Sequence, residues 1–423
     1  IYNLLMKVLW TTNITLPTVA ELVGLQKENK EGWLQSLARE LIKCSDFHLA
    51  IMSFEKSVKE LKILDKDGVK YFVVPLSALY DIEGIDNVVR VVKTTFSPDI
   101  LHINGTEYNN ALKILHRFDI PSVISIQGLT HVCSRYIFTG FDMSYLLSHP
   151  LFTLWLYRNQ LAFYRKGINE INYLSSVQHV IGRTDWDRVH TTIISPHITY
   201  HTCNENLRPP FYENCWQLRN VNRHQIYISQ ANYQIKGFHI IINAIKILKE
   251  EYPDLKVIVA GKNPIVSENN NIVHKFLSLL DYGHYIKKKM NIAKILDCVE
   301  FVGNLNADQV VNAMLSSHVS IVPSTVENSP NSLGEAMILG LPCVASYVGG
   351  IPSMSDYGHS CLLYRCEEWE MLVDHVRSIF NNDNLAIELS KRARNSASIK
   401  HNRQNNTKHM INIYQTILNS KDK

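Results

Sequence analysis

A polar turn inside the segment 321–337, IVPSTVENSPNSLGEAM, is the part of the sequence best suited to bind a charged ligand. We predict that a buried strand ends at Pro323 and that a helix begins after the turn. Ser329 and Pro330 would supply its N-cap and its first-turn proline, because both residue types are preferred at those positions. The amino end of this helix should therefore lie at the carboxyl end of a strand.

The first turn of that helix offers hydrogen-bond donors to an anion. The N–H groups of Asn331, Ser332 and Leu333 are predicted to be free and to lie at the positive end of the helix dipole, where they would bind a phosphate or sugar oxygen. Glu327 and Glu335 could flank the same ligand. Because the chain has 39 acidic residues, chance gives about four acid pairs at any fixed separation, so the alternative is an ordinary solvated helix start.

Alternating strand and helix patterns must position this turn. Short β-branched apolar runs alternate with longer helix-period segments, a pattern typical of βαβ units and parallel sheets. In the first half, strands are predicted at 8–12, 48–52, 71–74, 100–103, 123–126 and 179–181. In the second half, they are predicted at 226–229, 257–260, 300–302, 319–322, 343–345 and 361–363. The fold class is therefore α/β, with two Rossmann-like, doubly wound parallel sheets.

A proline-containing stretch of weak periodicity, about 195–223, is interpreted as the connection between the two halves. We predict one domain at 1–221, a second at 222–405, and a terminal helix at 406–423 that packs back toward the first domain. Ligands of open α/β sheets bind beyond the carboxyl ends of the strands. Two such domains facing each other would therefore enclose a central cleft.

Composition excludes several other classes of protein. The chain has 423 residues, of which 46% are hydrophobic and 19% charged, as in folded globular proteins. A net charge of +4 is too small to indicate a nucleic-acid partner. The eight cysteines form no C-x-x-C pair, and neither a signal-peptide pattern nor an apolar run of about 18 residues occurs. We expect a cytoplasmic protein.

The second half resembles the retaining GT-B glycosyltransferases of family 4. The resemblance rests on Glu327 and Glu335 in the spacing E-x7-E, on the run EAM that begins at Glu335, and on GLPCVA from Gly340. It extends to the loop SQANYQIKG, which contains Ser229, Gln230 and Lys236, and to FVG, which ends at Gly303. The resemblance implies that these loops bind a nucleotide-sugar donor and that Lys236 neutralises its diphosphate. An exposed first-turn lysine is the alternative.

The first half resembles the acceptor half of the same family more loosely. Gly32 corresponds to a glycine turn near the donor phosphates, where members often have two glycines, and Glu31 occupies the first of those two positions. Asn104 ends a strand similar to the family's P-D-x-x-H-x-H-G pattern. Gln127 stands where many members carry a histidine near the acceptor, and His131 is a second candidate for that role.

One further departure concerns the donor diphosphate. Ser229 and Gln230 occupy the place where the family commonly has Gly-Arg. Arg183 follows a predicted strand and is our hypothesis for the replacement cation. A salt bridge to Asp185 or Asp187 is the alternative role of Arg183.

The resemblance implies sugar transfer from a UDP- or GDP-sugar to a glycan or lipid-linked acceptor, with retention and without a metal or other cofactor. In this scheme, Glu327 holds hydroxyls of the donor sugar and Glu335 holds the ribose. Surface polysaccharide synthesis is the expected role. A nucleotide-sugar epimerase and a non-catalytic glycan-binding subunit, both known on the same scaffold, remain as alternatives.

An aromatic segment at 145–166 ends in the basic residues Arg165 and Lys166. Such a segment can rest on a membrane surface, which would place the protein at the inner face of the membrane next to a lipid-linked acceptor. A core or lid helix is the other interpretation.

Overall fold

The computed structural model describes residues 5–25, 33–265 and 281–420. The chain divides into two compact units. The N-terminal unit consists of 1–131, 165–206 and 401–423, and the C-terminal unit consists of 132–164 and 207–400. The division in the connecting region thus falls at 206, whereas the sequence placed it near 221.

The N-terminal unit is built on a sheet that has eight strands among the described residues, in the order β3-β4-β2-β1-β5-β6-β7-β8. The strands are β1 Met6–Thr12, β2 Phe47–Glu55, β3 Lys62–Lys66, β4 Val69–Pro75, β5 Ile100–Asn104, β6 Ser122–Ser125, β7 His179–Gly182 and β8 Thr199–Thr202. All neighbours are parallel except β3 and β4. The six predicted strands are confirmed. The edge strands β3 and β8 were not predicted because they are short, polar and largely unburied.

The C-terminal unit contains, in its described part, a six-stranded parallel sheet of order β11-β10-β9-β12-β13-β14. Its strands are β9 Gln225–Ile228, β10 Lys256–Ala260, β11 Val299–Gly303, β12 Val319–Val322, β13 Cys343–Ser346 and β14 Leu362–Tyr364. All six were predicted. The order 3-2-1-4-5-6 is that of a Rossmann sheet, with its topological switch point between β9 and β12.

Helices connect these strands. The α-helices of the described residues are Pro17–Val23, Trp33–Leu41, Ile82–Thr95, Asn110–Phe118, Thr130–Cys133, Met143–Ser148, Pro150–Ser176, Asp185–Ile194, Pro210–Glu213, Ile242–Glu251, Tyr282–Ala293, Ala307–Leu315, Asn331–Leu339, Ile351–Met354, Trp369–Asn381, Asp383–Lys400 and Arg403–Asn419. Short 3-10 turns occur at Leu76–Leu79, Ser134–Tyr136, Leu218–Asn220 and Gln234–Lys236. Within the described ranges, no helix is long and apolar enough to cross a membrane.

The terminal helix Arg403–Asn419 belongs to the core of the N-terminal unit. Its Tyr414 hydroxyl accepts a hydrogen bond from the Trp10 indole at 2.8 Å and lies 2.6 Å from Nδ1 of His102. The other ring nitrogen of His102 lies 2.7 Å from the Ser125 hydroxyl. Burial lowers the pKa of His102 to about 3, so the imidazole is neutral. This network fixes the terminal helix on strands β1, β5 and β6.

The segment 132–164 packs on the C-terminal unit through aromatic contacts. Phe141 stacks on His239 with ring centroids 4.5 Å apart, and Tyr145 packs on Tyr285 at 4.7 Å. The His239 Nε2 atom lies 2.9 Å from the Thr139 carbonyl. The predicted aromatic segment therefore has a packed side, as the core-helix interpretation requires.

Candidate active site

The loops after β9 and β12 meet at the switch point of the C-terminal sheet. β9 and β12 are hydrogen-bonded neighbours, with Tyr227 opposite Ser320. The loop after β9 leads to the 3-10 turn Gln234–Lys236, and the loop after β12 leads to the helix Asn331–Leu339. The predicted donor residues of these two loops thus share the edge where Rossmann sheets bind their ligands.

Gly237 allows the two loops to approach closely. It has a left-handed backbone with φ +70°, and a Cβ at this position would lie 1.8 Å from the Pro323 carbonyl oxygen. Any other residue would push the loops apart and strain the backbone. The glycine of the Lys-Gly pair therefore serves to place Lys236 beside the loop after β12.

Lys236 and Glu327 form an ion pair at this point. The Lys236 Nζ atom lies 2.6 Å from Oε1 of Glu327, which also accepts a hydrogen bond from the Ser324 hydroxyl at 2.8 Å. The two side chains are only 18% and 14% exposed. Burial alone would lower the pKa of Lys236, but the nearby Glu327 carboxylate and Tyr233 outweigh burial and raise it. Lys236 is therefore a protonated cation in a largely desolvated site.

The glycine pair after β13 holds the backbone of Glu327. The Gly350 N–H donates to the Glu327 carbonyl at 2.9 Å. At Gly349, which has φ +54°, a Cβ would lie 1.8 Å from that same carbonyl oxygen. The third strand end therefore helps to fix the carboxylate that faces Lys236.

The helix after the turn begins at Asn331, with Pro330 in extended conformation at the cap position and no side-chain cap. The prediction of Ser329 as N-cap was wrong by one residue, because the Pro330 carbonyl accepts the first turn's hydrogen bonds. The Leu333 N–H donates to that carbonyl at 3.0 Å and is not a free donor. The Asn331 and Ser332 N–H groups precede the first helical hydrogen bond, so they are the ones open to an anion.

Glu335 pairs with a different cation, Arg208. It is 6% exposed and receives two hydrogen bonds from Arg208, Nε to Oε1 at 2.7 Å and Nη2 to Oε2 at 2.8 Å. Burial raises the pKa of Glu335, and the hydrogen bonds from Arg208 oppose that rise. Sequence reasoning missed Arg208, which lies in the stretch interpreted as a linker. Its guanidinium also lies over the ring of Phe211 at 4.8 Å.

The other predicted donor residues of this unit also lie at the carboxyl edge of the sheet. The Gly261 N–H donates to the Gly303 carbonyl at 2.9 Å, joining the ends of β10 and β11. Ser229 and Gln230 lie against Gly261, and the Cβ position of Gly303 faces open space. The structure thus brings Ser229, Gln230 and Gly303 together at neighbouring strand ends. Gly32 lies outside the described residues.

Arg183 lies in the N-terminal unit and has a buried partner. Its Nη2 atom is 2.5 Å from Oε1 of Glu205, and both side chains are nearly inaccessible. It also donates to the Ile126 carbonyl at 2.9 Å and to the Gln127 side-chain oxygen at 3.3 Å. The alternative role predicted a salt bridge to Asp185 or Asp187, but the guanidinium pairs with Glu205. Contact with a donor diphosphate stays a prediction.

The acceptor-side candidates follow β5 and β6. Among the described residues, both side-chain polar atoms of buried Asn104 and the side-chain nitrogen of Gln127 have no hydrogen-bond partner. Such unpaired polar atoms are costly unless a ligand or water satisfies them. His131 instead makes a very short contact through Nδ1 with the buried Glu170, which also accepts from the Thr130 N–H at 2.8 Å. Sequence reasoning missed Glu170.

Part of the C-terminal unit is similar in sequence to known proteins. Residues 217–396 match the family model for glycosyl transferases group 1. This stretch contains Lys236, Gly303, Glu327 and Glu335 but not Arg208. The phosphatidylinositol N-acetylglucosaminyltransferase gpi3 subunit of Schizosaccharomyces pombe is 26% identical over 157 residues, which are 37% of this chain and 30% of that protein. The chain aligns with less than half the length of the curated relatives it matches.

Solved structures establish the fold. Sucrose-phosphate synthase from Thermosynechococcus elongatus superimposes with a TM-score of 0.72 at 13% identity, covering 98% of this chain and 100% of that chain. Anabaena HepE in complex with UDP-glucose gives 0.66 at 14% identity, covering 97% and 100%. The fold is GT-B. Together with the family match, these findings support a glycosyltransferase enzyme, as the motifs indicated.

Proposed function

We propose that this protein transfers a sugar from a nucleotide-sugar donor to a glycan or lipid-linked acceptor with retention of anomeric configuration, as in glycosyltransferase family 4. The observation that carries the proposal is the Lys236–Glu327 ion pair beside the amino end of the helix Asn331–Leu339. A cation, a carboxylate and free N–H groups at one point suit a ligand that carries both a diphosphate and sugar hydroxyls.

In the proposed reaction, the donor diphosphate takes Lys236 from Glu327 and also accepts from the Asn331 and Ser332 N–H groups. The freed Glu327 carboxylate then accepts from hydroxyls of the donor sugar, while Glu335 binds the ribose. The bond from the anomeric carbon to the phosphate oxygen breaks, and the acceptor oxygen bonds to the same face of that carbon. The acceptor proton passes to the departing phosphate oxygen. Lys236 and the N–H groups stabilise the charge that develops there, so no metal ion is needed.

A UDP-sugar is the donor we favour over a GDP-sugar, because the similar HepE structure contains UDP-glucose. The unpaired amide of Asn104 and the unpaired side-chain nitrogen of Gln127 support an acceptor rich in hydroxyl groups. The S. pombe relative is a phosphatidylinositol glycosyltransferase by name, which supports a lipid-linked acceptor. We place the reaction at the cytoplasmic face of a membrane, in surface polysaccharide assembly.

The test is to incubate the purified protein with UDP-glucose, UDP-N-acetylglucosamine, UDP-galactose and GDP-mannose, each with and without octyl glycosides and phosphatidylinositol. Mass spectrometry follows free nucleotide, glycosylated acceptor and epimerised donor, and NMR reports the anomeric configuration of the product. Acceptor-dependent product that persists in EDTA supports the proposal. An epimer formed without acceptor would indicate an epimerase, and donor binding without any product would indicate a binding subunit.

A further inference from the structure

One face of the long helix Pro150–Ser176 is apolar and open to solvent. Seven large apolar side chains on this face recur at spacings of three or four residues, and each is at least about a third exposed. They are Leu151, Leu154, Tyr157, Leu161, Tyr164, Ile168 and Ile171. At 1.5 Å per residue, the 27-residue helix is about 40 Å long.

The same helix has a second apolar face that is covered. Phe152, Leu156, Tyr173 and Leu174 are buried. Packing within the chain therefore accounts for these four apolar residues but not for the seven on the open face. The exposed apolar face extends into the preceding helix Met143–Ser148, where Leu147 is 78% exposed. A contiguous apolar stripe of this length marks an interaction surface.

The exposed charges of the long helix itself have one sign. Arg158 and Arg165 are exposed and lie one heptad apart on the helix, whose single acid, Glu170, is buried. A further exposed cation, Lys288, packs on the Tyr145 ring at 5.3 Å beside the start of the stripe. The exposed acid Asp142, at the start of the preceding helix, is paired with Lys289 at 3.0 Å, so cations are in excess. A stripe of leucine and tyrosine with an excess of cations complements an anionic, apolar surface.

We propose that this stripe binds the surface of a bilayer containing anionic phospholipid, with the helix lying in the plane of the interface. The leucine and isoleucine side chains enter the acyl boundary, while the tyrosines and arginines lie among the headgroups. The inference deepens the proposed function, which places the reaction at a membrane and on which it rests, but its test does not depend on sugar transfer. A second copy is less suited, because pairing two stripes would bring arginines together with no exposed acid on the long helix to offset them.

The test is flotation of the full chain with vesicles of phosphatidylcholine alone and of phosphatidylcholine mixed equally with phosphatidylglycerol. We expect binding to the mixed vesicles that weakens at high salt. The variant Leu151→Ser/Leu154→Ser should bind at least about tenfold more weakly, because two apolar insertions are lost. The variant Arg158→Gln/Arg165→Gln should bind mixed vesicles about fivefold more weakly for each cation removed, and its binding to phosphatidylcholine alone should not change. The control Ile399→Ser changes an exposed apolar residue of the helix Asp383–Lys400, outside the stripe, and should bind like the wild type.

Three results would overturn the proposal. The first is a wild-type chain that does not float with mixed vesicles, and the second is a Leu151→Ser/Leu154→Ser variant that binds as the wild type does. The third is a wild-type dimer in light scattering that these two substitutions convert to a monomer, which would assign the stripe to a second copy. Loss of sugar transfer with intact flotation would refute only the proposed function.

Discussion

Replacing Arg208 by methionine should destabilise the C-terminal unit in a pH-dependent way. Methionine keeps much of the apolar volume beside Phe211 but removes both hydrogen bonds to Glu335. Because Glu335 is 6% exposed, its carboxylate would be left buried without a counter-charge. Removing one member of a buried ion pair costs about 3–5 kcal/mol.

The loss should grow with pH. Burial already holds the pKa of Glu335 above its ordinary value, and Arg208 opposes that rise, so the pKa should climb further in the variant. A folded-state pKa above the unfolded one favours folding in acid, and this contribution disappears as pH rises through the folded pKa. The variant should therefore be nearest to wild type in acid. At neutral pH, its Tm should fall by about 6–20 °C for a unit of roughly 150–250 residues.

Thermal unfolding at about pH 5 and about pH 8 tests this reasoning through the linkage of protonation and folding. Adding Glu335→Gln to the Arg208→Met variant removes the unpaired charge and should restore much of the loss at the higher pH. The control Arg223→Met breaks an exposed pair with Asp383 and should cost less than about 1 kcal/mol. A double variant no more stable than Arg208→Met, or a loss that is equal at both pH values, would refute a role based on charge.

Three further outcomes are expected. Lys236→Ala and Glu327→Ala should each slow sugar transfer at least tenfold, which is about 1.4 kcal/mol of activation barrier. The control Lys246→Ala, on an exposed helix face, should leave the rate unchanged. Wild-type turnover in either site variant would contradict the site assignment. Tyr414→Phe removes a buried hydroxyl that forms hydrogen bonds with one indole and one imidazole. The free energy of unfolding measured in urea should therefore fall by about 1–3 kcal/mol. An unchanged unfolding midpoint would count against this network. If Arg183 replaces the missing loop arginine, Arg183→Lys should weaken donor binding in a titration. Unchanged donor affinity would mean that Arg183 serves only to pair with Glu205.

The sheets were predictable where strands are buried on both sides. The central strands β9, β12 and β13 are mostly apolar and are buried along their whole length, as central parallel strands are. β3 and β8 lack that signal because each lies at an edge and buries little. The predicted N-cap of the helix Asn331–Leu339 was wrong by one residue, because serine and proline each suit two adjacent positions at a helix start. Only the backbone angles show which of the two positions each residue occupies.

The candidate site was predictable where its residues lie in one local motif. Glu327 and the helix start are close in sequence, and Lys236 follows a strand whose neighbour in the sheet leads to them. Arg208 and Glu335, by contrast, are separated by 127 positions, and no local pattern indicates that they pair. Glu170 likewise pairs with His131 from the middle of a long helix. Side-chain partners that are distant in sequence are fixed by packing, which periodicity does not reveal.

The Lys236–Glu327 pair also explains how the proposed site would distinguish its donor. Without ligand, the two charges satisfy each other in a mostly desolvated position. A free nucleoside diphosphate would take the lysine but leave the carboxylate without a cation, and an uncompensated buried charge is costly. A nucleotide sugar supplies the diphosphate for Lys236 and hydroxyl donors for Glu327, so it replaces both halves of the broken pair. The wild type should therefore bind UDP-glucose more tightly than UDP in a titration. In the Glu327→Gln variant, no carboxylate is left without a counter-charge when UDP binds. The difference in affinity between the two ligands should therefore be smaller, chiefly because UDP binds more tightly. An equal preference in both proteins would mean that the ion pair does not open on binding.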